Sequence, residues 1–409
     1  MTRRVPDRIW VPAVAGLLLA VAFVAALAVR ADGDLSLLVH AGPPWTDPDA
    51  APGSLTVQPA DEAFDGQFFY RLGVDPLSDE EQVAGVTFDV PSVRWGRWGY
   101  GALAFGLSGT DTDLVPEALV AINVVAAAAL GAVGGGLARA FGRHAAWGVL
   151  FVLWPGFAYS MSVDTAELLA TTFALGGLLA GHHRRWALAG VLLAAGVLTR
   201  DSTVVIAAGV GALGLLRLIG GSDVEDGRPA RHWRGPFLAG VAVGVSYVAW
   251  QLVTRARFGK LPSGEAGALN LGAPMVDLVG AVTEALVPSD GEEAFRLLSF
   301  LGLFALMGAG GWAWWTVRRR VGDDLRGRAD EGILGAPWLA WPPAVAVVAL
   351  MTDYVLAGAT SFMRTSAEVA VLSMLLLLAA APRRLLALAV AGSGCLWLLT
   401  AAAQIAKLG

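Results

Sequence analysis

Residues 9–29 read IWVPAVAGLLLAVAFVAALAV, an unbroken apolar run that follows Met1-Thr2-Arg3-Arg4 and Arg8. A run of this length matches the ~20 residues that a helix needs to cross a bilayer. It is longer than the usual core of a cleavable signal peptide, so it predicts an uncleaved signal anchor despite the Ala26-Leu27-Ala28 triplet. The basic flank predicts a cytoplasmic amino terminus. The rest of the chain continues the theme. Over 409 residues, 56% are hydrophobic and 15% charged, with a mean hydropathy of +0.61. That composition excludes a water-soluble globule and describes an integral membrane protein.

Further apolar stretches predict spans at Val115 to Ala138, Ala145 to Val163, Ala166 to Ala180, Trp186 to Leu198 and Thr203 to Ile219. Others follow at Phe237 to Val253, Phe295 to Val317, Trp338 to Ala357, Thr365 to Ala381 and Leu385 to Ile405. The expected architecture is therefore an all-α polytopic bundle of about 11 transmembrane helices, forming one membrane domain over residues 1–409. Arg139/Arg143/His144, His182/His183/Arg184/Arg185, Arg217 with Arg228/Arg231/Arg234, Arg318/Arg319/Arg320 with Arg326/Arg328, and Arg383/Arg384 follow every second span. By the positive-inside rule all of them face the cytoplasm. This works if Trp95 to Ser108 lies in the outer interface, a depth that suits Trp95, Trp98 and Tyr100. The stretches Gly220 to Arg234 and Gly322 to Gly335 read as solvated cytoplasmic linkers.

The extracytoplasmic side then holds a first loop over residues 30–113, a second long loop over residues 254–293, and short turns near Asp164, Arg200 and Arg364. Function is expected there. The net charge of −5 says little in a bilayer, and nucleic acid is not an expected partner. Cys395 is the one cysteine, which excludes an internal disulfide and a cysteine-based metal site. His144, His182, His183 and His232 fall on the cytoplasmic side and His40 stands alone outside, so no histidine metal site forms.

Four outer segments carry candidate chemistry. In Ala63-Phe64-Asp65-Gly66-Gln67-Phe68-Phe69-Tyr70-Arg71, Asp65 precedes a glycine that permits a turn, and the aromatic residues can fix its carboxylate against the membrane surface. The plain alternative is a turn or helix-cap aspartate. In Ser162-Val163-Asp164-Thr165-Ala166-Glu167, the two acids either cap and charge the next helix or turn toward the Asp65 site. Arg200, in Leu198-Thr199-Arg200-Asp201, either pairs locally or binds a phosphate oxygen. Arg364, in Phe362-Met363-Arg364-Thr365, sits one helical turn before Glu368. Arg364 alone is explained by snorkelling, but Glu368 and Asp353 within spans point to a cavity or a partner.

These motifs, together with Arg94-Trp95-Gly96-Arg97-Trp98-Gly99-Tyr100, resemble a bacterial, especially actinobacterial, group related to the GT-C glycosyltransferase superfamily. The resemblance covers about Ala63 to Asp201, and the remainder by layout. It implies a first outer loop with interfacial helices, a catalytic aspartate at Asp65 and a second acid at Asp164. It further implies a lid over residues 254–293, and contacts to substrate or lipid phosphate from Arg200, Arg364, Arg97, Tyr70, Glu167 and Glu368. The implied donor is a polyprenyl-phosphate sugar and the acceptor a hydroxyl of a cell-envelope glycan, lipid or protein. The implied place is the outer face of the plasma membrane. No metal is required, although a divalent cation, Mg or Mn, could sit beside Asp65. A lipid or solute transporter or flippase, or a non-catalytic scaffold, are the alternatives from other classes.

Overall fold

The computed structural model describes residues 7–219, 224–225, 228–229, 233–325 and 334–408. Arg3 and Arg4 and most of the two expected cytoplasmic linkers lie outside the described residues. The protein is all-α, 76% helical with almost no strand. Its helices are α1 (Trp10–Arg30), α2 (Gly66–Val74), α3 (Pro91–Gly96), α4 (Trp98–Ser108), α5 (Val115–Ala140), α6 (Val149–Val152), α7 (Pro155–Ser162) and α8 (Glu167–His182). They continue as α9 (Trp186–Thr199), α10 (Val204–Ile219), α11 (Arg234–Phe258), α12 (Pro262–Asn270), α13 (Val276–Ala285) and α14 (Gly291–Leu325). The last are α15 (Gly335–Ala349), α16 (Asp353–Leu356), α17 (Ala359–Thr365), α18 (Ala367–Ala380) and α19 (Arg383–Lys407).

Among the described residues, six helices are long and apolar enough to cross a membrane, and eight spans result if each of two bent pairs counts as one. The multi-pass character expected from the sequence is therefore present, with fewer full-length crossings than the eleven expected. The difference has local causes. Ala145 to Val163 bends by 56° between α6 and α7, where Pro155 forces Trp154 into extended backbone. The stretch Trp338 to Ala357 stops at Ala349, and Asp353 then begins the short helix α16. Asp353 is exposed at the start of that helix rather than buried within a span. Helices α9 and α15, at 14 and 15 residues, fall short of a bilayer's thickness.

Apolar residues face outward along α1, α11 and α19, with Leu18, Val245 and Leu388 all exposed, as lipid-facing helices require. Helix α18 is the reverse: Ala367 through Ala379 are all buried, between α14 and α15. Glu368 thus enters the molecule on its most enclosed helix. Helix α1 lies against α5 so closely that a Cβ on Gly131 would run into the Pro12 carbonyl, a small-residue contact typical of packing in lipid.

The first long loop folds onto the bundle. Residues 91–108 form α3 and α4 rather than one interfacial helix, and their aromatic side chains turn inward. Trp95 is buried and stacks on Trp250 of α11 at 4.5 Å. Trp95 and Trp98 both donate to the Pro76 carbonyl, at 3.0 and 3.2 Å. Tyr100 is fully buried, donates to the Leu119 carbonyl at 2.9 Å and accepts from Asn123 at 2.8 Å. Buried indole and phenol groups need such partners, which explains why these rings settle in protein rather than at the lipid surface.

Gly131→Val should cost about 1–3 kcal/mol by forcing α1 from α5, whereas Gly106→Ala, where a Cβ meets nothing within 4 Å, should be neutral or slightly stabilising. Thermal unfolding of the two variants in detergent checks this contrast.

Candidate functional site

Asp65 sits where the first loop meets the turn between α7 and α8. Gly66 is wedged so tightly that a Cβ would strike the carbonyl oxygens of Val39 and Val163, so this position requires glycine. Gln67 locks the entry to α2, accepting from Thr46 Oγ1 at 2.7 Å and donating to the Phe64 carbonyl at 3.0 Å. Asp65 precedes α2 without capping it, since its carboxylate accepts no hydrogen bond from the helix start. The plain reading as a helix cap therefore does not apply. Its carboxylate instead meets Arg94 Nη1 at 2.9 Å and Arg364 Nη2 at 3.1 Å. Phe64 lies under the Arg364 guanidinium at 4.9 Å and Phe68 under that of Arg94 at 4.4 Å. The aromatic residues of the motif thus hold the arginines. Phe69 and Tyr70 are buried in protein, not spread on the membrane.

These pairs belong to a chain of alternating charge. Arg94 also grips Asp89 with two hydrogen bonds of 2.7 Å, the forked geometry that suits arginine. Arg364 continues to Glu167 Oε1 at 2.8 Å. The same oxygen pairs with Arg200 Nη1, while Glu167 Oε2 accepts from Ser160 at 2.8 Å. Arg200 Nε donates to Ser202 Oγ at 2.8 Å, and that hydroxyl donates to Glu368 Oε1 at 2.6 Å. Arg200 Nε lies 3.7 Å from Glu368. Beside this chain, Arg97 Nε reaches Asp201 at 3.5 Å and makes no hydrogen bond. Burial works to raise the Asp65 pKa, but Arg94, Arg364 and Arg97 outweigh it and hold the carboxyl at about 2. Burial also pulls the Arg97 pKa down.

The chain lines a cavity of about 500 Å³. Its floor carries Asp65, Arg94, Arg97, Arg200, Arg364 and Glu368. Its wall is apolar, with Val204 and Val205 of α10 and Ala344, Val347 and Val348 of α15. Ser263, Ala266, Gly267, Leu269, Asn270 and Leu271, within the second long loop, also line it. That segment is fastened to the one after α15, because Gly272 N donates to the Leu350 carbonyl at 2.7 Å and Thr352 N to the Asn270 carbonyl at 3.1 Å. A small polar patch joined to an apolar wall suits an amphiphile with an anionic head.

The structure gathers Asp65, Arg97, Arg200, Arg364 and Glu368 at this cavity, from segments far apart in sequence. Glu167 stands behind the wall and holds two of the arginines. Asp164 and Tyr70 do not line the cavity. Asp164 is fully buried in left-handed backbone (φ 43°) with both carboxylate oxygens unpartnered. Burial drives its pKa well above the usual range, which favours its protonated form. Tyr70 is fully buried with an unpartnered hydroxyl, and burial raises its pKa to about 12. Among the described residues, no three His, Cys, Asp or Glu side chains converge as a metal site needs. Arg94, Asp89 and Ser202 join the site without having been singled out. The signal for Arg94 is its spacing of three from Arg97 on a side otherwise poor in basic residues. No protein-family model, curated protein or solved structure matches the chain, so the geometry carries the functional reading.

Glu167→Gln should destabilise the protein by about 3–5 kcal/mol, because it leaves two buried arginines without their shared anion. Asp164→Asn, which puts an uncharged isostere where the carboxyl has no ion-pair partner, should cost under about 1 kcal/mol. Thermal or denaturant unfolding in nanodiscs separates the two acids.

Proposed function

We propose that this chain is a membrane glycosyltransferase related to the GT-C group, with about eleven crossings when the short helices α8, α9 and α15 are counted as tilted spans. It would take a sugar from a polyprenyl-phosphate donor at the extracytoplasmic face of the plasma membrane, with the amino terminus in the cytoplasm. The sugar would pass to a hydroxyl of an envelope glycan, lipid or protein. The observation that carries this reading is the cavity itself: an ionised carboxylate and four arginines on the floor of an apolar-walled pocket in a membrane bundle.

The chemistry follows from that arrangement. The acceptor oxygen attacks the anomeric carbon, the carbon–oxygen bond to phosphate breaks with its electron pair leaving on phosphate, and the acceptor proton passes to Asp65. Direct displacement inverts the anomeric centre. The anchor for the phosphate is Arg97, whose Nε makes no hydrogen bond and meets Asp201 only at 3.5 Å, rather than Arg200 and Arg364, which share Glu167 at closer range. A carboxylate held at about 2 by arginines is a weak base. Donor phosphate that draws Arg364 or Arg97 toward itself relieves that hold and raises the basicity of Asp65 when the substrate is in place.

A transporter or flippase is the second reading, favoured by the 53° break between α17 and α18. Arg364 and Glu368 flank this break, and discontinuous helices with ionisable groups at the break are a feature of transporters.

Transfer of radiolabelled sugar from a panel of polyprenyl-phosphate sugars, in membranes with wild-type chain or Asp65→Asn at matched abundance, tests the reading. The expected result is transfer by the wild type and a loss of about 100-fold or more in the variant. Movement of the lipid across the bilayer with no covalent transfer would replace the enzyme by the transporter.

A further inference from the structure

The cavity lining carries four arginines, Arg94, Arg97, Arg200 and Arg364, against four carboxylates, Asp65, Asp89, Asp201 and Glu368. Glu167, directly behind Arg200 and Arg364, adds a fifth negative group. With every one of these groups ionised, the site is one charge negative overall. The acids are not equally neutralised. Asp65 and Glu167 each meet two arginines, and Asp89 is gripped by Arg94 through two hydrogen bonds. Asp201 is loosely paired with Arg97, but its side chain is 24% exposed and water screens it. Glu368 is both enclosed, with its side chain 7% exposed, and weakly paired. Its nearest guanidinium nitrogen is 3.7 Å away, and its close partner is the neutral Ser202 hydroxyl.

A poorly compensated, poorly screened carboxylate beside an anion pocket repels anions in proportion to their charge. Resting on the glycosyltransferase reading, we propose that Glu368 is a specificity-determining residue that sets the charge of the phosphate this cavity retains. It admits the singly charged phosphodiester of a lipid-linked sugar and disfavours the doubly charged phosphomonoester left after transfer. The balance of the reaction supplies the drive. As the anomeric carbon–oxygen bond breaks, the phosphate gains a full negative charge while Asp65 gains the acceptor's proton. Once Asp65 returns that proton to water, the pocket is again one charge negative and now holds a dianion. Glu368 then promotes release of the spent carrier. Such a residue is a repulsive element in the sense that specificity often needs one.

The test uses full-length protein in nanodiscs at pH 8, with geranylgeranyl phosphate as monoester and geranylgeranyl methyl phosphate as diester. The tails are identical, and the monoester is doubly charged because its second pKa is about 6. Wild type should bind the diester about fivefold or more tightly than the monoester, the low end of ordinary coupling between groups in one site. Glu368→Gln should tighten the monoester by a similar factor and leave the diester within about twofold. Glu368→Asp, which keeps the charge, should keep the wild-type preference. Equal or preferential binding of the monoester by wild type overturns the inference without recourse to any variant, as does a folded Glu368→Gln protein with unchanged discrimination. Binding of neither ligand overturns the functional reading and this inference with it.

Discussion

One carboxylate oxygen, Glu167 Oε1, is shared between Arg200 and Arg364, and the arrangement of the whole site depends on it. Two guanidinium groups enclosed at the ends of helices cannot stand side by side without an anion between them. Glu167 supplies it from the first turn of α8, where a carboxylate also suits the helix dipole. The positions of α9, which ends at Arg200, and of α17, which carries Arg364, are thereby referred to one point. Arg364 then hands the constraint on to Asp65, and Asp65 to Arg94. Segments separated by hundreds of residues are registered against each other by a single alternating row of charge.

That row explains why the pocket can be both strongly charged and stable within a membrane protein. Most members have a near partner, so little charge is left bare in a low-dielectric setting. The exceptions are where chemistry can enter. Arg97, which lines the cavity, has an Nε that makes no hydrogen bond and only a long contact to Asp201, and Glu368 leans on a hydroxyl more than on a guanidinium. The apolar wall formed by α10 and α15 adjoins these two residues, so a ligand whose head is anionic and whose tail is hydrocarbon meets complementary surfaces on both parts.

Much of this was legible in the sequence. Helices α1, α5, α11, α14 and α19 declare themselves as apolar runs, and the motifs holding Asp65, Arg200, Arg364 and Glu368 stand out because polar residues are costly there. The breaks were harder. Pro155 marks one of them, but Leu350 to Thr352 and Ser366 interrupt helices with residues that hydropathy does not distinguish from their neighbours. The choice between Asp164 and Glu167 was not legible either. Both lie in Ser162-Val163-Asp164-Thr165-Ala166-Glu167, and the chain turns through left-handed backbone at Asp164, so that Glu167 joins the arginines and Asp164 is enclosed without a partner. Trp95, Trp98 and Tyr100 misled for a related reason. Amphipathic rings suit a membrane interface, but they suit a protein interior equally well when a backbone carbonyl is in reach.

On the glycosyltransferase reading, the cavity between the charged row and the α10–α15 wall receives a lipid phosphate. Photocrosslinking with a diazirine-tailed polyprenyl phosphate in native membranes, followed by peptide mapping, tests it most directly. Crosslinks concentrated in Val204–Ile219 and Gly335–Ala349, and reduced by Arg97→Gln, are the expected result. Labelling spread evenly over the lipid-facing surfaces of α1, α11 and α19, and unchanged by Arg97→Gln, would contradict the account.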